Sequence, residues 1–249
     1  MRFKNFLLIT IGLLSMQTSC TNDNQQNNNM QDKSLNVKKI HAQVVEAVEV
    51  PELLKRNGVE YQTVNSVNWP ETYPYCPEMK FGIAYTDNAI LVHYRVQEQS
   101  IRAVSGEDHG PVWEDSCVEF FSSPADDGLY YNIECNCIGT VLLAVGPDRN
   151  ERTSAPKEVM DGIKRWSTLE HKTFEVKVEP TSWEVALIIP FSTYFKHKIT
   201  SVDGRTIRAN FYKCGDKLPE PHFLSWNPIK TDSPDFHRPD FFGTLHFTE

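Results

Sequence analysis

The 249-residue sequence lacks the short motifs that mark several large enzyme classes. It contains no G-x-S-x-G, no glycine-rich phosphate loop and no H-E-x-x-H, and its 12 glycines are scattered singly. Nucleotide-binding loops and zinc-protease sites of those types are therefore excluded. The histidines do not cluster and no serine has a nucleophile motif, so a Ser-His-Asp hydrolase has no support.

Basic residues and long apolar runs are also scarce. Lys and Arg number 25 against 33 Asp and Glu, giving a net charge of −8, so the field of the protein repels a phosphate backbone. A nucleic-acid partner is not expected. No segment beyond the N-terminus offers the roughly 18 consecutive apolar residues of a transmembrane helix.

The composition is that of a globular protein. Hydrophobic residues make up 40% and aromatic residues 11% of the chain, which suffices for a packed core. A chain of this length favours one large domain over two small ones.

Residues 1–19 have the layout of a signal peptide. Arg2 and Lys4 precede an apolar run at 6–14, and Cys20 is followed by a polar stretch. The end of the segment resembles a bacterial lipoprotein signal, although Gln17 replaces the usual apolar residue. We predict export, a lipid anchor at Cys20 as membrane partner and an outer-membrane location; secretion without a lipid is the alternative.

The remaining chain divides into a tether and a domain. Residues 20–40 are rich in Asn, Gln, Asp and Ser and predict a flexible polar tether, which leaves 41–249 as the folded domain. Five cysteines follow Cys20, an odd number without a paired C-x-x-C, and we interpret them as small buried hydrophobes: Cys76, Cys117, Cys135, Cys137 and Cys214.

The domain has the pattern of an all-β protein. In 89–97 the apolar Ile90, Val92, Tyr94 and Val96 alternate with other side chains after an Asp-Asn turn, which predicts a hairpin. About nine or ten such runs predict a β-sandwich of jelly-roll or immunoglobulin-like type. One short helix is expected within 156–166, where apolar residues recur at helical spacing.

Two predicted strands carry polar residues on one face. Glu119 alternates in 117–122, and Asn132, Glu134 and Asn136 alternate in 130–137. If these strands are neighbours, their carboxylates and amides share a surface that could bind sugar hydroxyls. A solvated outer face explains the same alternation.

Four separated segments together resemble carbohydrate-binding module family 9, in its branch of secreted bacterial proteins. They occur in the family's order between Val67 and Phe247: GPVWEDSCVEFF, TSWEVALIIPF, LSWNP and PDFHRPDFFGTLHF. The resemblance implies a β-sandwich that clamps a terminal sugar between two aromatic planes, without catalysis, in support of carbohydrate catabolism.

The resemblance also implies the site residues. Trp113, six residues before Glu119, matches the first aromatic plane, and Phe236, six before Phe242, takes the place of a second tryptophan. Glu119 matches a hydroxyl-binding glutamate. Asn136 matches a contact asparagine, and Glu134 replaces a basic contact residue, a reversal of charge.

Further implied contacts are less specific. Tyr212 falls at a polar contact position, whereas Trp183 and Trp226 match core positions. No cofactor is required, although the family often holds structural calcium, for which Asp87, Asp115 and Asp126 are candidates. The mature net charge, 23 minus 33 or −10 after removal of Arg2 and Lys4, favours neutral over anionic sugars.

Two other functions remain open at this stage. A glycosidase could use Glu119 and Glu134. Retention requires two carboxyl groups about 5 to 5.5 Å apart and inversion about 6.5 to 9.5 Å, and neighbouring strands could provide either separation. A surface lipoprotein that contacts another subunit of a glycan-uptake assembly would also fit, with the sugar site no longer used.

Overall fold

A computed structural model of the chain describes residues 32–43 and 46–249. The predicted signal peptide, the lipidation site at Cys20 and the tether as far as residue 31 lie outside the described residues. Among the described residues, no helix has the length and apolar character needed to cross a membrane.

The described residues form sixteen strands and two short α-helices. The strands are β1 (Ser34–Lys39), β2 (Gln62–Thr63), β3 (Ser66–Val67), β4 (Glu78–Tyr85), β5 (Ala89–Glu98), β6 (Ile101–Ala103), β7 (Cys117–Ser123), β8 (Tyr130–Asn136), β9 (Val141–Gly146), β10 (Thr153–Ser154), β11 (Lys164–Ser167), β12 (Phe174–Lys177), β13 (Thr181–Pro190), β14 (Thr206–Cys214), β15 (Phe223–Ser225) and β16 (Gly243–Thr248). The helices are α1 (Val50–Arg56) and α2 (Lys157–Gly162).

Fourteen strands belong to one curled, mixed sheet. Its main path runs β10-β9-β8-β7-β14-β16-β1-β4-β5-β13-β11, and β6 and β12 form a separate pair. The two halves of the path face each other: Phe81 on β4 stacks on Phe211 of β14 with ring centroids 3.6 Å apart, although three strand boundaries separate them. The predicted all-β sandwich is confirmed.

The strand β1 corrects the predicted domain boundary. It lies between β16 and β4 and pairs with both in parallel, with Leu35 opposite Leu245 and Lys38 opposite Ala84. Val37 is completely buried in the main core. Residues 34–39 therefore belong to the domain and not to a tether, because two apolar side chains and both ladders hold them in the sheet.

The hairpin of β4 and β5 shows why the alternation of apolar residues predicted these strands correctly. Tyr85 pairs with Ile90 across the turn, and Ile90, Val92, Tyr94 and Val96 all enter the main core. The opposite face is covered as well, since Leu91 packs with Leu54 of α1 in a second cluster.

The helices differ from the single one expected at 156–166. The helix α2 ends at Gly162, and Trp166 lies in β11, opposite Ala186 of β13. The additional helix α1 has a proline in its first turn and buries Val50 and Leu54, one turn apart.

The described cysteines are all free thiols. Cys117, Cys135, Cys137 and Cys214 are buried, and Cys76 is exposed. Burial of four of the five agrees with their interpretation as small apolar residues.

Candidate functional site

One face of the strands β7, β8, β9 and β14 forms the floor of a cavity of about 540 Å³. Glu119, Phe121, Asn132, Glu134 and Leu142 point into it, while the alternate residues of the same strands pack in the main core. Pleating thus gives one side of these strands to the core and the other to the cavity.

Glu119 and Glu134 lie side by side on this floor. The two are directly opposite each other on β7 and β8, and both are almost completely buried. Glu119 Oε1 accepts a hydrogen bond from Cys214 Sγ at 3.0 Å, and Glu134 Oε1 accepts one from Asn132 Nδ2 at 2.9 Å. Glu134 Oε2 is buried and has no hydrogen-bond partner.

Burial controls the ionisation of this pair. It raises the pKa of Glu134 to about 7 and the pKa of Glu119 well above its usual range, with the charge of Glu134 adding to the second effect. Two adjacent carboxylates in a dry site are unfavourable, so one carboxyl keeps a proton near neutral pH. The floor therefore offers an acid O–H donor beside a carboxylate acceptor.

Arg152, at the β9–β10 turn, brings a positive charge to the same floor. Its guanidinium donates to Asn132 Oδ1 and to four backbone carbonyl oxygens, those of Tyr130, Ala144, Gly146 and Asp148. Nε is buried and has no partner. The cavity is thus lined by one unpartnered donor and one unpartnered acceptor.

Trp113 lies at the rim of the cavity. It is 38% exposed and is part of a short 3-10 turn, Val112–Glu114. Its carbonyl oxygen accepts from Asp216 N at 3.2 Å, which joins the turn to the segment after β14. An exposed tryptophan on an anchored backbone is a rigid apolar platform.

Phe236 also lines the cavity and is 9% exposed. Its ring stacks on Tyr212 with centroids 4.2 Å apart, and Tyr212 Oη donates to the carbonyl oxygen of Phe236. Tyr212 is completely buried and does not line the cavity. The structure therefore places Tyr212 behind Phe236 as its support, and not at the predicted contact position.

Asn136 also lies away from the cavity. Its Nδ2 donates to Ser105 O at 2.8 Å and to Asp115 Oδ2 at 3.0 Å, and its Oδ1 accepts from the backbone N–H groups of Ile138 and Thr140. All of its hydrogen-bonding capacity is used within the protein. Asn136 is on the predicted face of the strand, but it is the last residue of β8, and there the loop 104–115 covers its side chain.

Asp115 is the partner of Asn136 and does not fit the expected calcium site. Its carboxylate accepts from Arg102 Nη1 at 2.6 Å and from the backbone N–H groups of Val104 and Ser105. Asp87 instead pairs with Lys39 at 2.9 Å. In the described parts of the chain, no group of three His, Cys, Asp or Glu ligands includes Asp87, Asp115 or Asp126.

Several cavity residues are not among the sequence candidates. Arg149, Arg152, Asp216, Asp235 and His237 all line it. They lie outside the strands, in or beside turns, where no periodicity indicates the direction of a side chain. Asn132 is the exception, since it alternates with Glu134 and could have been included on that ground.

The chain matches a known family over most of its length. The family model for carbohydrate-binding family 9 matches residues 48–247. No curated protein matches the chain.

Three solved structures are similar. A candidate carbohydrate-binding protein from Bacteroides uniformis shares 51% sequence identity over 87% of this chain and 100% of that one, with a TM-score of 0.85. A carbohydrate-binding module of family 9 from Caldicellulosiruptor kristjanssonii, in complex with glucose, shares 13% identity over 87% of this chain and 96% of that one, with a TM-score of 0.55. Its complex with cellotriose also shares 13% identity over 87% of this chain, with 94% of that chain covered and a TM-score of 0.51. At 13% identity, the last two indicate a shared fold alone.

Proposed function

The chain belongs to carbohydrate-binding family 9, and on that premise we propose that it binds a carbohydrate in the cavity above β7 and β8 without catalysing a reaction. The ligand is a neutral sugar at the end of a glycan. Its apolar face contacts Trp113, and its hydroxyl groups bond to the floor around Glu134. Binding of this kind serves carbohydrate catabolism by holding a glycan near the enzymes that degrade it.

The observation that carries the proposal is the unpartnered oxygen of Glu134 in a cavity with an exposed tryptophan. A buried acceptor without a partner costs about 1 to 3 kcal/mol, which a ligand hydroxyl would recover. Arg152 Nε offers the matching donor. A sugar has hydroxyl groups that both donate and accept, together with an apolar C–H face that an indole ring can contact.

Charge favours a neutral ligand. Four acids line the cavity, Glu119, Glu134, Asp216 and Asp235, against two arginines, Arg149 and Arg152. Both arginines have acidic or carbonyl partners within the protein, since Arg149 lies 4.0 Å from Asp235 and Arg152 is bonded to carbonyl oxygens. A sugar carboxylate would therefore meet a net negative site.

The arrangement of Glu119 and Glu134 disfavours the glycosidase alternative. Hydrolysis needs two carboxyl groups that flank the scissile bond from different sides. Here both project from one sheet face in directly paired positions, so they approach a ligand from the same side. Reducing-sugar release from polysaccharides, lost in Glu119→Gln, would instead indicate an enzyme.

Calorimetric titration of the purified chain with a panel of neutral mono- and oligosaccharides, glucose and cellotriose among them, tests the proposal. We expect binding of at least one sugar and weaker binding of its uronic acid. Trp113→Ala should lower the binding free energy by about 1 to 3 kcal/mol, the cost of removing a stacking aromatic.

Trp166→Ala is the matched control. Trp166 is also partly exposed but lies on β11 and does not line the cavity, so its loss should leave sugar affinity unchanged. No binding across the panel, or equal affinity in Trp113→Ala and the parent, would refute the proposal.

The proposal extends to a membrane-anchored location. The signal-like residues 1–19 and the polar segment after Cys20 support attachment by a lipid at Cys20. Labelling of cells with a radioactive fatty acid should label this protein, and Cys20→Ala should abolish the label. An unlabelled parent protein would leave secretion without a lipid as the mode of export.

A further inference from the structure

Three potential metal ligands meet on the cavity face of β7 and β14. Cys117 lies directly opposite Cys214, and Glu119 follows two residues later on the same face of β7. The two Sγ atoms and a carboxylate oxygen of Glu119 all lie within 4.8 Å of one another, and Cys214 Sγ is 3.0 Å from Glu119 Oε1. All three residues are at most 2% exposed.

The donor set has the chemistry of a site for a thiophilic divalent ion. Zinc takes thiolate ligands at about 2.3 Å and carboxylate oxygens at about 2.0 to 2.2 Å, in a tetrahedron. Ligand atoms in such a tetrahedron are about 3.5 to 3.8 Å apart. Side-chain rotations must therefore widen the 3.0 Å distance between Cys214 Sγ and Glu119 Oε1 and bring the three ligand atoms, now within 4.8 Å of one another, to this spacing. Calcium and magnesium are unsuited, because they require several oxygen ligands.

The backbone holds these ligands in place. Residues two apart on one strand share a face, and the in-register partner on the next strand adds a third ligand to that face. Glu119 and Cys214 line the cavity, so an ion can reach them from solvent. The neighbouring cation has its own partner, since Lys213 Nζ pairs with Glu98 at 2.9 Å.

We propose that Cys117, Glu119 and Cys214 form a binding site for one thiophilic divalent cation, of the Zn²⁺ or Cd²⁺ type, on the floor of the cavity. The ion displaces the protons of both thiols and of the Glu119 carboxyl group, all of which pass to solvent, and the ligands bind as two thiolates and one carboxylate. No electron is transferred, and the site needs no oxidant.

Titration of the reduced, metal-free chain with Cd²⁺ tests the proposal, with the thiolate-to-metal charge-transfer absorbance as readout. We expect one equivalent to bind and the band to saturate at that point. The chemical shift of the bound ion in cadmium NMR should indicate two sulfur ligands, a measurement that needs only the parent protein.

Variants assign the ligands. Cys117→Ser and Cys214→Ser should each abolish the saturable band, and Glu119→Gln should keep it while raising the Kd by about tenfold or more. Cys137→Ser is the matched control: Cys137 is equally buried, and its thiol contacts the carbonyl oxygen of Arg102, outside the cluster.

Three results would overturn the proposal. They are the absence of a saturable cadmium band in the parent protein, a band of equal intensity in Cys214→Ser, and a Cys117–Cys214 disulfide in the purified protein before reduction. Because the titration contains no sugar, its outcome is independent of whether the cavity binds carbohydrate.

Discussion

The carboxyl group of Glu134 destabilises the folded chain, because burial disfavours its ionised form and one of its oxygen atoms has no partner. A side chain of this kind is typical of binding sites, where stability is given up for a ligand contact. The amide of glutamine has the same shape and can still accept from Asn132.

We therefore expect Glu134→Gln to separate stability from affinity. The melting temperature should rise or stay the same, while affinity for the sugar found by calorimetry should fall by about 1.5 to 3 kcal/mol, the range for a hydrogen bond to a charged group. Thermal unfolding and titration of the same preparation check this. A variant that is both less stable and equally tight in binding would contradict the role given to this residue.

His93, on β5, makes the stability of the domain depend on pH. It is completely buried between Tyr61 and Glu184, with ring nitrogens 2.5 Å from Tyr61 Oη and 3.1 Å from Glu184 Oε2. Burial, helped by the charge of Arg95, lowers its pKa to about 4. Below about pH 6.5 the imidazole of His93 is protonated in the unfolded chain but stays neutral in the folded chain. The free energy of unfolding therefore decreases as the pH falls from about 6.5 to about 4.

Removing this imidazole should flatten the pH dependence. Urea unfolding between about pH 7 and pH 5 should give the parent a slope that is steeper by up to about 1.4 kcal/mol per pH unit than that of His93→Gln. The comparison isolates His93, because every other group titrates in both proteins. Parallel pH profiles would show that the pKa of His93 is the same in the folded and unfolded chains, which would contradict this prediction.

At the scale of elements, the loop 104–115 determines where the exposed tryptophan lies. Asp115 ties this loop to Arg102 and to the end of β8 through Asn136. His109 adopts a left-handed conformation with φ of 65°, a costly one for a residue with a side chain, and Gly110 follows where a Cβ would collide with Ser105 Oγ. Hydrogen bonds and the ion pair of Asp115 hold the loop in this conformation, and apolar burial contributes little.

Asp115→Ala should release the loop. Removing one partner of a buried ion pair takes the carboxylate away from Arg102, which keeps the carbonyl oxygen of Glu114 as acceptor, and leaves two backbone N–H groups without an acceptor. This predicts a loss of about 3 to 5 kcal/mol in the free energy of unfolding. Denaturant unfolding measures that loss. In conditions where the variant is still folded, sugar affinity should also fall, since Trp113 is no longer fixed.

Asp127→Ala is a useful comparison for this prediction. Its carboxylate is partly exposed and pairs with His197 at 3.0 Å outside the cavity. Exposed pairs contribute about 0 to 1 kcal/mol, so this variant should be nearly as stable as the parent. Similar losses of unfolding free energy in both variants would show that the buried Asp115 contributes no more to stability than an exposed ion pair does.

The elements differ in how far the sequence predicts them. The hairpin β4–β5 follows from local alternation, since residues of one period share one face. Alternation also assigns Glu119 and Glu134 to one face of their own strands, but that these strands are neighbours was a condition that only the structure fulfils. The strand β1 could not be predicted, because its partner β16 is about 200 residues away and its apolar content is two residues. Arg152 could not be assigned to the cavity either, because its position depends on the path of a turn.

At the scale of the whole domain, β1 is a central strand that comes from the N-terminal end. It contacts β16 on one side and β4 on the other, and these two strands belong to opposite halves of the sheet path. Loss of β1 would leave two unpaired edges in the middle of the sheet. The closure of the sandwich therefore depends on residues 34–39.

Truncation tests this dependence. A chain that begins at Asp32 should keep the melting temperature of the parent, whereas one that begins at His41 should lose several kcal/mol of stability and aggregate through the free edges. Addition of a synthetic peptide of residues 32–40 should restore part of the loss, since an extended peptide can fill an open strand position. Equal melting temperatures for the two chains would contradict the central role of β1.

The position of β1 also has a mechanical consequence. Tension along this strand loads all of its pairing hydrogen bonds to β16 and β4 in shear, so they must break together, whereas an edge strand peels away one bond at a time. Register contacts extend from Ser34 to Lys39 on the two sides combined. A pull applied to the N-terminal side of the domain is thus borne by a strand that is paired on both of its sides.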